Sequence, residues 1–347
     1  MGSKSLFSKV LAVVAVAGVA GSAVEAEASK ARVGSLQGYI GLVDTQTIFT
    51  QPAYIGKLGH YVTYEFGSGA LGSVPKGEGG FLLSSDGARW GAYLGHESAR
   101  QAALRGTFEK QHNPIDFFYG QDNWAVNVSL SMSNNEITDA KQTSLAARFG
   151  MVNDGNEFYV GVEALQSAET AGAKFNGGPA IDAGYLHRMS ETLVLEGKVS
   201  YAMAELEPAG GGAKTETKDL GVSVGFNHRP VEGLYYGAGI AYSNNDVADK
   251  GNNTLSIPFV VGLEKDILSW MTVRGSVSQG ILFGSTKNEQ VAAPNDKTVT
   301  NANDTMVAAG LGIKHNGFTI DGTLAAAANG QLNGNAFLAN AALTYNF

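Results

Sequence analysis

The chain of 347 residues has no cysteine. That excludes disulfides, Cys-ligated zinc and an N-terminal lipid-anchoring thiol. The fold must be held by packing and backbone hydrogen bonds. Proline is scarce, with 8 residues, against 46 glycines. Proline removes a ladder donor and is confined to edges and bulges of sheets, so its scarcity leaves room for many strands. There is no apolar run of the ~20 residues a membrane helix needs, and the mean hydropathy is −0.05. A basic stripe is also missing. The formal net charge is −8, spread along the chain, which argues against nucleic acid as a partner. No acids stand at calcium-loop spacing, no His pairs with a Ser or Asp in a recognisable motif, and Gly210-Gly211-Gly212 falls in a loop, outside the strand-to-helix setting that cradles phosphate. Catalytic residues, metal and cofactor are therefore all expected to be none, and the protein is not expected to be an enzyme.

What is present is alternation. In the last stretch Phe337, Ala339, Ala341, Leu343, Tyr345 and Phe347 stand on one parity, with Asn340, Thr344 and Asn346 between them. Alternate strand residues point to opposite faces. One face is greasy, the other largely wet, and the chain stops on an aromatic. A soluble sandwich strand carries the same alternation but rarely ends this way. The pattern resembles the closing strand of Gram-negative outer-membrane β-barrels. That resemblance implies that Tyr345 and Phe347 are an assembly signal read by the barrel assembly machinery.

The same alternation recurs along the chain. Trp124, Val126, Val128, Leu130 and Met132 oppose Asn127, Ser129 and Ser131. Leu220, Val222, Val224 and Phe226 oppose Gly221, Ser223 and Asn227. About twelve such strands follow residue 123, and four more candidates, 60–66, 79–85, 88–96 and 115–120, precede it. The total predicts a transmembrane antiparallel up-and-down β-barrel, all-β, of about 16 strands, or 14 if two are merged or lost. Closure would remove the hydrophobic edges of so long a sheet. Short links at 153–155, 188–191, 228–232, 264–268 and 315–317 alternate with longer polar ones at 134–140, 166–179, 205–215, 243–253 and 285–303. Short periplasmic turns and long outer loops are the transmembrane-barrel arrangement. Both termini are then expected in the periplasm. Residues 98–110 have a helical composition and could fold inward from a loop.

Lys4 and Lys9 precede an apolar run at 10–20, and small residues around Ala26 and Ala28 follow. This is the three-part secretory leader, taken as residues 1–28. Residues 29–58 are expected to be an N-terminal periplasmic segment or plug, and 59–347 the transmembrane barrel. The stretch 41–55, from Gly41-Leu42-Val43-Asp44 through Phe49-Thr50-Gln51-Pro52-Ala53-Tyr54, runs into the first strand. It is similar to the N-terminal segment of the long-chain fatty-acid transporter superfamily, where an aromatic leads to Asn-Pro-Ala and a short helix. Here Gln51 stands in place of the Asn. The resemblance covers about 25 residues and implies a short inward plug.

Charges on the inward parity are the informative ones. They are Arg89, Arg148, Glu163, Asp182, Arg188, Glu196, Lys198, Arg274 and Asp321. A charge facing lipid at mid-bilayer costs ~2–4 kcal/mol. In a water-filled lumen it costs little, and opposed acids and bases there sort solutes by charge. These nine are the expected pore-lining residues. Trp270 departs from the scheme, since its parity points inward unless a bulge lies nearby. The expected function is a porin-like outer-membrane channel for passive diffusion of small hydrophilic solutes and ions. The alternatives are a transporter of hydrophobic compounds and a non-conducting structural or surface barrel. The partners expected are outer-membrane lipid, the assembly machinery and small solutes, with homo-oligomer formation left open.

Overall fold

The structure is a computed structural model, which describes residues 29–37, 39–67, 76–98, 111, 113–137, 139–248, 250–282, 286–288, 297–298, 305–326 and 340–347. The expected leader, 1–28, and most of the helical-looking stretch 98–110 lie outside these residues.

The wall begins with β1 (Tyr61–Gly67), β2 (Lys76–Ser85), β3 (Ala88–Leu94), β4 (Ile115–Gly120), β5 (Trp124–Asn135) and β6 (Ala140–Asn153). It continues with β7 (Asn156–Thr170), β8 (Ala173–Arg188), β9 (Leu193–Glu207), β10 (Thr215–Val231), β11 (Leu234–Val247), β12 (Lys250–Leu268) and β13 (Met271–Leu282). Two short strands, β14 (Thr286–Asn288) and β15 (Lys297–Thr298), lie within the next connection. β16 (Met306–His315), β17 (Phe318–Ala326) and β18 (Asn340–Asn346) complete the wall. β13 pairs directly with β16, so β14 and β15 are an excursion and sixteen strands make the barrel. All wall pairings are antiparallel between neighbours along the chain, and β1 closes on β18 from Tyr61↔Asn346 to Gly67↔Asn340. Closure pairs the backbone groups that an open edge would leave to lipid.

The burial pattern is inverted relative to a soluble protein. On β17, Ile320 is 53% exposed while Asp321 and Thr323 are each 1% exposed. On β10, Val222 and Val224 are exposed, and on β5 Val128, Leu130 and Met132 are exposed while Asn127 and Ser131 are buried. The apolar face is therefore outside and the polar face inside, as a lipid-spanning barrel requires.

The hairpin links follow the expected short and long alternation only in part. The tight turns at 154–155 and 316–317 use Asp154 (φ 43°) with Gly155 (φ 82°), and Asn316 (φ 47°) with Gly317 (φ 80°). Two left-handed residues in a row match the twist of the flanking strands. Several of the links expected to be long are instead strand. β7 and β8 pair as far as Thr170↔Ala173, and β11 and β12 as far as Val247↔Lys250. Their polar residues therefore extend the hairpins beyond the apolar band. Strands also run into segments expected to be turns, since β10 reaches Val231 and β12 reaches Leu268. Trp270 sits in the two-residue turn after β12, is exposed, and lies beside a register shift between Asp266 and Leu268. The irregularity removes the parity conflict. Between Ala238↔Phe259 and Ala241↔Ser256 the β11–β12 ladder is interrupted at Pro258, which has no N–H to give.

The first and last strands of the wall meet at the short-turn rim. The Phe347 amide donates to the His60 carbonyl (3.2 Å), and its ring stands against those of His60 and Tyr345. We expect Val224→Arg to prevent assembly, because it puts a charge in lipid at ~2–4 kcal/mol. Ser129→Arg on the lumen face should assemble. Heat-modifiable gel mobility of membrane fractions checks this, and equal behaviour of both variants would refute the face assignment.

Candidate functional site

The site is the lumen, and the N-terminal segment lies in it. That segment holds a helix, α1 (Lys30–Ser35), and two 3₁₀ turns, Thr47–Phe49 and Pro52–Gly56. Ser29 caps α1 by accepting from the Arg32 amide (3.0 Å), which satisfies one of the orphan donors of the first turn. Pro52 opens the second 3₁₀ turn, where its missing N–H costs nothing. α1 packs against β13, β16, β17 and β18, while the second turn packs against β3, β4, β5 and β6. Tyr235 of β11 donates to the Leu36 carbonyl (2.6 Å), and Tyr54 donates to Glu157 of β7 (2.5 Å). A segment that touches strands all round a closed wall must be inside it. Fit is close at Gly150, where an added Cβ would come within 1.9 Å of Gln51 Oε1. The apolar core is correspondingly internal. Ile48, Tyr54, Ile55 and Leu58 pack against Tyr61, Leu82, Tyr93 and Phe118 of the inner wall.

Polar groups fix the segment in three clusters. In the first, Arg32 makes a two-pronged contact with Glu264 (2.8 and 3.0 Å) and meets Asp44 at 3.4 Å. Arg274 bonds both Glu264 (2.7 Å) and Asp321 (2.5 Å), and the Ser29 hydroxyl donates to Asp321 (3.3 Å). Two guanidinium groups and three carboxylates thus share one largely buried site, in which each charge needs its partners. Burial pushes Asp44 up to about 7, against the pull of Arg32 and of the Gln46 amide.

The second cluster surrounds Glu65, which is fully buried. It accepts from the Lys30 amide, Tyr93 Oη and Gln46 Nε2, each at 2.7 Å. Beside it Glu78 pairs with Lys30, and His96 lies 3.6 Å from Glu78 and stacks on Phe49. In the third, Glu157 accepts from Tyr54, Lys57 (3.0 Å) and Arg188 (2.8 Å).

The nine sequence-selected residues all project inward, to different surroundings. Arg274 and Asp321 lie in the first cluster and Arg188 in the third. Arg274 and Asp321 side chains are each 1% exposed, beneath the N-terminal segment. Arg89 donates to the Leu58 carbonyl (2.6 Å) and to Asp122 near the rim. Arg148 is joined to Asp182 by two bonds (2.6 and 2.8 Å), reaches the Thr50 carbonyl (3.3 Å) and sits over the Tyr159 ring. Glu163 accepts from Ser98 (3.1 Å) and from Gln166. Glu196 and Lys198 pair with each other at 2.7 Å.

Glu65, Glu78, Glu157 and Glu264 were not singled out by sequence. Parity could have found Glu157 and Glu264 had β7 and β12 been drawn one residue longer. Nothing in the alternation pointed to Lys30, Arg32, Asp44 or Gln46, which bind the wall from a non-strand segment.

Because buried pairs leave a stranded charge when one partner is removed, at ~3–5 kcal/mol, Arg32→Met should loosen the segment without opening the barrel. Limited proteolysis should then cut within 29–58 while the heat-modifiable band persists. An uncut segment would mean that the apolar contacts alone hold it.

No family model matches the chain, and no curated protein matches it. Among solved structures, the chain is similar to OmpT of Vibrio cholerae (TM-score 0.41, 10% identity, covering 83% of this chain and 96% of that one). It is also similar to the CymD monoaromatic hydrocarbon channel (TM-score 0.43, 9% identity, 91% and 96%). The third is an anion-selective porin from Comamonas acidovorans (TM-score 0.39, 11% identity, 83% and 97%).

Proposed function

We propose that the protein is an outer-membrane channel through which small hydrophilic solutes and ions diffuse, with residues 29–58 as a docked partial plug. The observation that carries this reading is a closed barrel with an apolar exterior whose polar lumen, beside the plug, keeps cavities of about 240 to 510 Å³. On this reading the nine inward charges tune passage, and those covered by the plug also anchor it. Residues 1–28 act as a secretory leader, and both termini face the periplasm. Tyr345 and Phe347, at the rim where β18 closes on β1, serve as the assembly signal. Homo-oligomers are compatible with the reading and are not required by it.

A second reading, a transporter of hydrophobic compounds, draws support from the plug and from apolar side chains such as Ile40, Pro258 and Val260 in the largest of these cavities. Planar-bilayer recording separates the two. Stepwise ohmic conductance from refolded protein is the expected result. Gly150→Val, which crowds Gln51, should raise the conductance by displacing the plug. Well-folded protein without conductance would refute the diffusion channel and favour the second reading. Deleting Phe347 should leave export intact and abolish assembly. A normal heat-modifiable barrel after the deletion would remove the proposed signal role.

A further inference from the structure

Lys198 of β9 differs from the other inward charges in its exposure. It pairs with Glu196, yet its side chain keeps 44% of its surface accessible although it points into a closed barrel. Arg274, by contrast, is sealed under the N-terminal segment, and Arg148 is held by Asp182.

Three cavities meet at Lys198. The first, about 240 Å³, follows the N-terminal segment from Tyr54 and Glu157 to Ile40, Glu196 and Lys198. The second, about 510 Å³, starts at the same three residues and spreads over small inner-wall positions such as Ser223, Gly225 and Gly239. The third, about 320 Å³, runs from Lys198 past Asp182 and Ser200 to Gly221 and Ala241. Glu157 stands next to the start of β7 at the short-turn rim, whereas Ala241 is seven residues into β11. The difference of six residues, at ~3.3 Å each, is ~20 Å of strand, and at a tilt of ~40° it is ~15 Å along the axis. The cavities therefore span more than half of an apolar band ~25 Å tall.

We infer that solute passes the N-terminal segment along β9, and that Ile40, Glu196 and Lys198 form the neck of this passage. Lys198 is its specificity-determining residue and favours small anions of the carboxylate and phosphate type. The chemistry is direct. An accessible ammonium acts on every ion that passes within the ~8–10 Å screening length. Glu196, less exposed, holds its amine in place without covering it. This inference rests on the channel reading above and adds the position and the preferred charge of the path.

The test uses the full chain, whose lack of cysteine makes any introduced thiol unique. Reversal potentials are recorded across a potassium chloride gradient for wild type, Lys198→Glu and Lys198→Met. Wild type should favour chloride, Lys198→Met less so, and Lys198→Glu should favour potassium, with the differences shrinking as salt rises. Lys198→Cys should change its current on addition of a sulfonated methanethiosulfonate. Ser276→Cys, buried against the Ser35 carbonyl, should not respond. Conducting channels with the same selectivity in wild type and both charge variants, and no reagent response from Lys198→Cys, would overturn the path while leaving the channel reading intact. Silent wild-type protein that is folded by heat-modifiability would overturn both. If Lys198→Glu fails to fold, the methionine and cysteine variants still decide.

Discussion

A bilayer offers no water to an unpaired peptide group, and this architecture depends on that constraint. Each unsatisfied N–H or C=O in hydrocarbon costs several kcal/mol. With no helix among the described residues long and apolar enough to cross, the chain meets the requirement by pairing every strand and then pairing the last with the first. Here β18 lies on β1, and the Phe347 amide reaches the His60 carbonyl just beyond it. The alternation of side chains follows from the closure. Each strand is wetted from within and greased from without, and mean hydropathy near zero is the average of the two faces.

The second constraint is electrostatic. A lumen lined by carboxylates and guanidinium groups can be hydrated or paired. In this protein much of it is paired, by a segment that brings Lys30 and Arg32 to waiting carboxylates and covers Arg274 and Asp321. The hydrophobic core lies inside the barrel for the same reason. Tyr61, Leu82, Tyr93 and Phe118 break the polar pattern of the inner wall where Ile48, Tyr54 and Ile55 cover them. Where the segment leaves space, the wall is small or accessible, as at Gly225, Gly239 and Lys198.

Period-two alternation was strong enough to give the strand faces and the strand number. It gave the inward parity of Arg148, Asp182 and Arg274 because a strand has only two sides. It placed strand ends less well, since polar residues at 166–179 and 243–253 read as loop while the backbone there is still laddered. Hydrogen bonding of the backbone does not depend on side-chain polarity, and a hairpin that has left the membrane has no need of apolar residues. Glu157 and Glu264 were missed for that reason.

The sequence by itself determined that this chain is a barrel, which face meets lipid and which charges point inward, because those properties are local and repeat every two residues. Only the tertiary structure decided which of those charges remain accessible. Arg274 and Lys198 look alike in sequence, both cations on an inward parity. One is buried beneath α1 and bound to Glu264 and Asp321, while the other faces open space beside Ile40. The difference arises from where residues 29–58 come to rest, and that is set by contacts between positions more than two hundred residues apart, such as Arg32 with Glu264, which no local pattern encodes.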